Sequence, residues 1–188
     1  MVEKDQLIRR ILRVNHAGEH GAIAIYSAQL AKVPRQHPAL TGWLQETLSH
    51  EQRHRDAFLA AMPSRGAKPC RLMAVWTIGG AMLGGMTAIL GQTGIMVCTA
   101  AVERTVHKHL NDQIAYLSGH DAELAAIIQN IRVEEDEHLA YAEAHHDSKS
   151  LFARFLSAAV ALLTELLIWI STRGDSLRLQ AVLRDSAA

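Results

Sequence analysis

Three segments of the sequence place a glutamate and a histidine three positions apart, a spacing that puts both side chains on one face of a helix. These segments are Glu51/His54, Glu135/His138 and Glu143/His146. A carboxylate oxygen and an imidazole nitrogen presented together are ligands for divalent metal ions. One such pair is weak evidence, because random placement of glutamate and histidine readily produces it.

A fixed interval distinguishes the first two pairs from the third. Glu19 lies 32 residues before Glu51, and Glu103 lies 32 residues before Glu135. The third pair has Asn111 at the corresponding position, so we predict that it belongs to a polar helix end. The interval therefore selects six candidate metal ligands, which are Glu19, Glu51, His54, Glu103, Glu135 and His138.

The same interval indicates how the helices must run. If each interval is an antiparallel helical hairpin, its midpoint is the turn, and the two midpoints are Arg35 and Gly119. Each arm then has about 16 residues, or about 24 Å of helix, between turn and glutamate. Two such hairpins packed face to face bring four carboxylates and two imidazoles to one level of the core, as in ferritin-like di-iron bundles.

The composition of this predicted cluster indicates the metal. Buried carboxylates are unfavourable unless they become neutral or bind a cation. Four carboxylates formally balance two divalent ions. A mixture of carboxylate oxygen and imidazole nitrogen suits iron or manganese better than thiolate-seeking metals, and zinc fits it less well. We therefore expect two ions of iron or manganese, and the ferritin-like di-iron template favours iron.

Helices explain the rest of the chain better than strands, since alanine and leucine are frequent and only four prolines occur. We predict an all-α protein, a ferritin-like four-helix bundle with two additional apolar helices. One domain is expected at residues 1–174, followed by a tail at residues 175–188. The predicted helices span residues 5–32, 39–61, 72–90, 93–117, 121–146 and 149–172.

Two apolar stretches point towards a membrane surface. No charged residue occurs between Arg71 and Glu103, a run long enough to suggest a transmembrane helix. Six glycines interrupt this run, and Glu103 must enter the bundle core, which favours a helical hairpin that leans on the bundle or dips into one leaflet. The second stretch, residues 151–171, contains Arg154 and Glu165. We predict peripheral membrane attachment, and no nucleic-acid partner because the net charge is zero.

Four blocks of sequence resemble the demethoxyubiquinone hydroxylases, a family of the ferritin-like superfamily. The blocks are RVNHAGEHGAIAIYSAQ at residues 13–29, HEQRH at 50–54, the apolar segment at 72–103 and RVEEDEH at 132–138. The metal ligands of that family correspond to the six residues that the interval selects. The chain departs from the family at His20 and Leu110, positions that the family usually fills with tyrosine.

The resemblance implies 3-demethoxyubiquinol 3-hydroxylase activity for residues 1–174. A di-iron monooxygenase of this kind uses O2 to hydroxylate the ring of a polyprenylated demethoxyquinol in ubiquinone biosynthesis. The six ligands would be catalytic, holding two iron ions that change between Fe2+ and Fe3+, with NADH or reduced quinone as external electron donor. The family also implies attachment to the cytoplasmic side of a bacterial inner membrane, or the matrix side of the mitochondrial inner membrane, and partner proteins of quinone biosynthesis.

Two other functions stay open on the sequence alone. Ferritin-like bundles also oxidise or store iron without an organic substrate, and a membrane-embedded scaffold would need no metal. The glycine-rich apolar segment argues against a storage cage, whose outer faces must tolerate water. His107 and His109 follow Glu103 closely, and for both we expect polar or surface contacts rather than metal ligation.

Overall fold

The six segments predicted to be helical each form one α-helix in the computed structural model. The structure describes residues 2–33, 37–174, 176, 177, 179 and 181, and within them no β-strand occurs. The helices are α1 (Val2–Leu30), α2 (Pro38–Ala61), α3 (Met73–Ile89), α4 (Gly91–Ser118), α5 (Ala122–Ala144) and α6 (Leu151–Thr172). A short 3-10 turn at Pro63–Arg65 follows α2. The all-α fold class is confirmed.

Helices α1, α2, α4 and α5 form a bundle of two helical hairpins, and each end of the bundle is filled by an apolar cluster. All four helices contribute buried residues to both clusters. At the end with the α4–α5 turn they include Leu12, Phe58, Leu117 and Leu124. At the opposite end they include Tyr26, Leu44, Met96 and Ala142. The candidate ligands lie in the layer between these two clusters.

Local sequence explains the turn between α4 and α5. The chain leaves α4 at Gly119, and Asp121 caps α5 by accepting a hydrogen bond from the backbone N–H of Leu124 at 3.1 Å. Arg65, which follows α2, also contacts this carboxylate, with 2.6 Å between its Nε and Oδ2 of Asp121. The turn predicted at Gly119 is confirmed, and the one predicted at Arg35 lies outside the described residues.

The two additional apolar helices occupy equivalent places. Each follows one hairpin and packs against the first helix of that hairpin, α3 on α1 and α6 on α4. The α6 helix also contacts α1, and the indole N–H of Trp76 on α3 donates to the hydroxyl of Ser171 on α6 at 3.1 Å. The repetition seen in the ligand spacing therefore extends to a third helix in each half of the chain.

Glycines allow α3 to approach the backbone of α1. A Cβ at Gly80 would overlap the carbonyl oxygen of Gly21, and one at Gly84 would overlap that of Ile25. Of the six glycines in the apolar run, Gly91 lies at the break between α3 and α4, with a φ of 72°. The run forms a hairpin as expected, but its other five glycines lie inside helices and do not interrupt them.

The outward faces of α3 and α6 are apolar. The most exposed large apolar residues of these helices, each more than 60% exposed, are Ile78, Met82, Met86, Ile89, Leu151, Phe155 and Leu162. Among the described residues, α6 is the one helix long and apolar enough to cross a bilayer, a test that core helices of water-soluble proteins also pass. Its apolar window is only 17% buried, so α6 is not such a core helix.

The predicted tail at residues 175–188 falls mostly outside the described residues. Where it is described, Leu179 is buried against the apolar cluster at the α4–α5 turn. This contact ties that part of the tail to the bundle. The domain boundary after residue 174 stays a prediction.

Candidate metal centre

The structure brings all six candidate ligands together. One comes from α1, two come from α2, one comes from α4 and two come from α5, and every one of these residues is at most 7% exposed. They are Glu19, Glu51, His54, Glu103, Glu135 and His138. Equal spacing from the turns places them at one level, as the 32-residue intervals predict.

The six residues divide into two overlapping groups of four, each able to hold one metal ion. One group is Glu19, Glu51, His54 and Glu135, and the other is Glu51, Glu103, Glu135 and His138. Within each group the potential ligand atoms lie within 4.8 Å of one another. Glu51 and Glu135 belong to both groups, so two ions bound there could share these carboxylates.

Both imidazoles turn Nδ1 towards the carboxylates. Nδ1 of His54 lies 3.0 Å from Oε1 of Glu135 and 3.9 Å from Oε2 of Glu19. Nδ1 of His138 lies 3.1 Å from Oε2 of Glu135 and 3.6 Å from Oε1 of Glu51. Glu135 therefore stands between the two rings, with one oxygen facing each.

The electrostatics of the cluster favour a cation. Burial, followed by repulsion from neighbouring carboxylates, raises the pKa of Glu51 and of Glu103 well above the usual range, and raises that of Glu19 to about 7. Burial also opposes ionisation of Glu135, yet contacts with the two histidines hold its pKa below the usual range. Oε1 of Glu51 and Nδ1 of His54 are buried and form no well-aligned hydrogen bond among the described residues, although Nδ1 of His54 lies close to Glu135. Unpartnered ligand atoms of this kind fit a divalent metal ion.

Two residues that sequence reasoning missed support the rings from outside. Nε2 of His54 lies 3.3 Å from Oε2 of Glu134, which also accepts a hydrogen bond from Arg53 at 2.8 Å. Nε2 of His138 lies 3.0 Å from Nδ1 of His50. A metal ion bound at Nδ1 would need each ring to carry its proton on Nε2, where Glu134 and His50 can accept it and hold the ring orientation.

A signal for these supporting residues is present in the sequence. His50 and Glu134 each directly precede the glutamate of a Glu-x-x-His pair, and they are separated by the same interval as Glu51 and Glu135. Each one supports the ring of the other hairpin. The spacing could have marked them, but only the packing of α2 against α5 shows which ring each contacts.

Tyr26 also contacts the cluster and was not predicted. Its hydroxyl donates to Oε1 of Glu103 at 3.0 Å, and its side chain is buried. Burial, followed by the charge of Glu103, raises the pKa of Tyr26 well above its usual value, so the phenol stays protonated and remains a donor. Tyr26 is two helical turns beyond Glu19 on α1, the spacing that could have indicated a shared face.

The residues set aside as ligands lie elsewhere. In the third Glu-x-x-His pair, Glu143 accepts a hydrogen bond from Arg104 at 2.9 Å, and His146 contacts a backbone carbonyl. His107 lies 3.3 Å from Asp136. His109 lies 2.9 Å from Glu165 on α6, so both histidines have carboxylate partners outside the cluster. Their polar contacts agree with the expectation from sequence.

A cavity of about 270 Å³ reaches the cluster from between α3 and α6. Its inner end is lined by the four carboxylates Glu19, Glu51, Glu103 and Glu135. Its walls are mostly apolar, and it includes Gly18, where a Cβ would meet nothing within 4 Å. Val75, Leu163 and Leu166 line it and are also about half exposed, so they mark its mouth.

Few polar groups line the wall of this cavity apart from the carboxylates. Asn15 and Gln113 form two reciprocal amide hydrogen bonds of 2.7 and 3.1 Å. His109 lies beside them on α4. An apolar passage with a few polar groups near its end is typical of a site for a largely apolar small molecule.

A four-helix bundle with a buried layer of glutamate and histidine is the architecture of the ferritin-like class. Comparison with known families identifies the branch: residues 6–171 match the family described as Ubiquinone biosynthesis protein COQ7. The chain belongs to this family, which confirms the resemblance recognised in the sequence.

Relatives in bacteria and eukaryotes carry consistent names. The 3-demethoxyubiquinol 3-hydroxylase of Rhodospirillum rubrum is 38% identical over 89% of this chain and 78% of that protein. The NADPH-dependent 3-demethoxyubiquinone 3-hydroxylase, mitochondrial, of Dictyostelium discoideum is 33% identical over 90% of this chain and 79% of its own length. The protein of the same name from Mus musculus is 36% identical, covering 85% and 71%.

Proposed function

We propose that this protein is a di-iron monooxygenase with 3-demethoxyubiquinol 3-hydroxylase activity, which hydroxylates the ring of a polyprenylated demethoxyquinol with O2 in ubiquinone biosynthesis. One observation carries the proposal: an apolar cavity ends on the same carboxylates that form the two overlapping four-residue groups. The names of the relatives support the same reaction.

The six clustered residues serve in this proposal both as metal ligands and as catalytic residues. Glu51 and Glu135 would be shared by both ions, Glu19 and His54 would complete one site, and Glu103 and His138 would complete the other. Iron, when bound there, supplies the reduction of O2 and the transfer of one oxygen atom to the ring. The second oxygen atom leaves as water, which requires two electrons and two protons from an external donor. We propose NADH, a reduced nicotinamide nucleotide, as that donor, and two relatives are named NADPH-dependent.

The surrounding side chains position the reactants. Tyr26 donates to Glu103 and so orients one carboxylate, while His50 and Glu134 hold the two imidazoles. The apolar cavity walls exclude water from the cluster, and the Asn15–Gln113 amide pair offers hydrogen bonds to the oxygen substituents of a quinol ring.

A membrane surface is the proposed source of the substrate. The cavity mouth lies among the exposed apolar side chains of α3 and α6, where a lipid-soluble polyprenyl tail could remain in the bilayer. Glu165 on α6 pairs with Lys108 and His109 on α4, so one side of α6 faces charged groups of the bundle. We therefore propose an interfacial rather than a spanning position. The side would be the cytoplasmic face of a bacterial inner membrane, or the matrix face of the mitochondrial inner membrane, with partner proteins of quinone biosynthesis nearby.

Anaerobic reconstitution tests this function. Purified protein loaded with iron receives a short-tailed demethoxyquinol, NADH and then ¹⁸O2, and mass spectrometry follows the quinol. A product heavier by one ¹⁸O atom is expected, whereas its absence with two irons bound would sink the hydroxylase proposal. Iron mineral formed without hydroxylated quinol would instead favour iron storage.

The third Glu-x-x-His pair provides a matched control. Glu135→Gln is expected to abolish hydroxylation, because it removes a carboxylate shared by both metal groups. Glu143→Gln changes the same residue type in the same sequence pattern on the same helix, but outside the cluster. It is expected to retain activity. Equal activity in the two variants would contradict the assigned site.

A further inference from the structure

We infer that Tyr26, Trp43 and Tyr141 form an electron-transfer path between the carboxylate cluster and the protein surface. Its function would be protective, delivering an electron to the cluster when O2 reacts there without quinol. The protective role rests on the proposed function, whereas the path itself does not depend on it and can be measured without iron or quinol.

The path is continuous in the structure. The Tyr26 hydroxyl contacts Glu103 at 3.0 Å, and the ring of Tyr26 meets Trp43 edge to face with centroids 6.3 Å apart. Trp43 stacks on Tyr141 at 4.7 Å and 9° between planes, and Tyr141 stacks on the exposed His145 at 4.0 Å. Tyr26 is buried while Trp43 and Tyr141 are half-buried, so the rings lead outward in order.

The residue types suit this function. Tyrosine and tryptophan are the aromatic side chains most readily oxidised by one electron, and electron tunnelling weakens steeply with distance, so contacting rings transfer best. The chain has only three tyrosines and three tryptophans, yet three of these six form one line across α1, α2 and α5. Ring contacts at these separations also stabilise the packing of the three helices. Packing alone does not require oxidisable rings, since phenylalanine would also stack.

The path avoids the substrate cavity. Tyr26, Trp43 and Tyr141 are not among the described residues that line the cavity, although Trp76 is. An electron can therefore reach the cluster from the surface without crossing the space assigned to the quinol. This separation allows the path to act when the cavity is empty.

Electrons and protons balance along the path. An oxidant formed at the cluster from ferrous iron and O2 takes one electron from Tyr26, whose phenolic proton passes to its hydrogen-bond acceptor on Glu103. Trp43 then returns an electron to Tyr26, which recovers its proton. Tyr141 reduces Trp43 and releases its own phenolic proton to solvent. A thiol or ascorbate in solution reduces the Tyr141 radical, solvent returns the proton, and the thiol or ascorbate is left as the oxidised radical.

Pulse radiolysis of the metal-free protein tests the path by itself. Azide radicals oxidise tryptophan in preference to tyrosine, and absorption spectra then follow transfer from tryptophan radical to tyrosine. We expect a first-order transfer phase that does not depend on protein concentration. Trp43→Phe should remove this phase, as should the double variant Tyr26→Phe/Tyr141→Phe, while phenylalanine keeps the ring packing.

Two matched variants control for general ring oxidation. Tyr116 stacks on His120 away from the cluster, and Trp169 is half exposed on α6. Tyr116→Phe and Trp169→Phe are expected to retain the transfer phase. Its absence from the wild type, or its persistence in Trp43→Phe, overturns the path even if hydroxylation is established.

The protective role needs a second readout. Iron-loaded protein is exposed to O2 without quinol, and electron paramagnetic resonance with peptide mass mapping locates the radicals and oxidised residues. Oxidation at Trp43 and Tyr141 is expected to exceed that at Tyr116 and Trp169, and ascorbate should suppress it. In Trp43→Phe the oxidation should shift to Tyr26 and the cluster. Equal oxidation of all tyrosines and tryptophans would overturn the protective role.

Discussion

Oε2 of Glu134 lies 3.3 Å from Nε2 of His54, on the side of the imidazole that faces away from the carboxylate cluster. The same oxygen accepts a hydrogen bond from Arg53 at 2.8 Å. A metal-binding histidine held in this way keeps its ring orientation and gains basicity at the nitrogen that faces the metal. A residue outside the six proposed ligands would therefore influence how well one of them binds metal.

Glu134→Ala is expected to weaken iron binding by about 10- to 100-fold, because His54 loses its outer acceptor. Anaerobic titration with ferrous iron measures the affinity. Glu134→Gln should restore part of it, since an amide oxygen still accepts the Nε2 proton. Glu137→Ala changes an exposed glutamate on the same helix and should leave the affinity unchanged. Equal loss in the Glu134 and Glu137 alanine variants would argue against ring support.

Glu51→Gln is expected to lower metal binding while raising the stability of the metal-free protein. It removes a shared ligand, so iron bound per chain should fall towards zero, as measured by metal analysis after reconstitution. The metal-free protein should become more stable by about 1 kcal/mol or more, because a neutral side chain replaces a crowded buried carboxyl. Urea denaturation measures this gain. Full iron content in the variant would contradict the bridging position of Glu51.

Gly80→Ala is expected to destabilise the protein by about 1–3 kcal/mol, because the new Cβ overlaps the Gly21 carbonyl and forces α3 away from α1. Thermal or urea unfolding measures the loss. Gly79→Ala is the control one residue away, where a Cβ meets nothing within 4 Å. That variant should be neutral or more stable by up to about 1 kcal/mol. Similar effects of both substitutions would refute backbone contact between α3 and α1.

Asp121→Asn is expected to reduce stability by about 1–3 kcal/mol at neutral pH, since asparagine still caps α5 but loses the charged contact with Arg65. Hydrogen bonds from Arg65 lower the pKa of Asp121 below its ordinary value of 3.8. The stability that this contact contributes is complete above pH 3.8, the pKa of the unfolded state. It is lost as the pH falls through the lower pKa of the folded state. Urea unfolding across pH should show the difference from wild type disappearing in acid.

The control for Asp121 is Glu123→Gln on the same helix. Glu123 also contacts Arg65 but its side chain is 82% exposed, so the expected loss is below about 1 kcal/mol. An equal pH-dependent loss in both variants would mean that general surface charge, rather than the Asp121 contact, stabilises the turn.

Ile78→Glu and Leu162→Glu together are expected to reduce membrane binding by roughly tenfold or more, because each places a charge on an apolar face proposed to enter the lipid interface. Co-sedimentation with vesicles of phosphatidylglycerol and phosphatidylethanolamine measures binding. Val133→Glu is the matched control, since Val133 is 56% exposed on α5, away from both faces. Unchanged binding of the double variant would contradict attachment through α3 and α6.

Residue types and spacing alone predicted the helices, the turn at Gly119 and the six clustered residues, because helix geometry converts equal spacing into equal height. Glu19 and Glu51 needed no long-range information to be placed at one level, only a turn halfway between them. The same reasoning excluded Glu143, which lacks an upstream glutamate and pairs with Arg104 in the structure.

The neighbours of those residues became visible only in the packing of the helices. Contacts between separate helices include that of His50 with His138, the shared membership of Glu51 and Glu135 in both groups of four, and the ring contacts from Tyr26 to Tyr141. Such contacts depend on the rotation of each helix and on how closely the backbones approach. That approach is set by packing across the whole core, which periodicity along one helix does not encode.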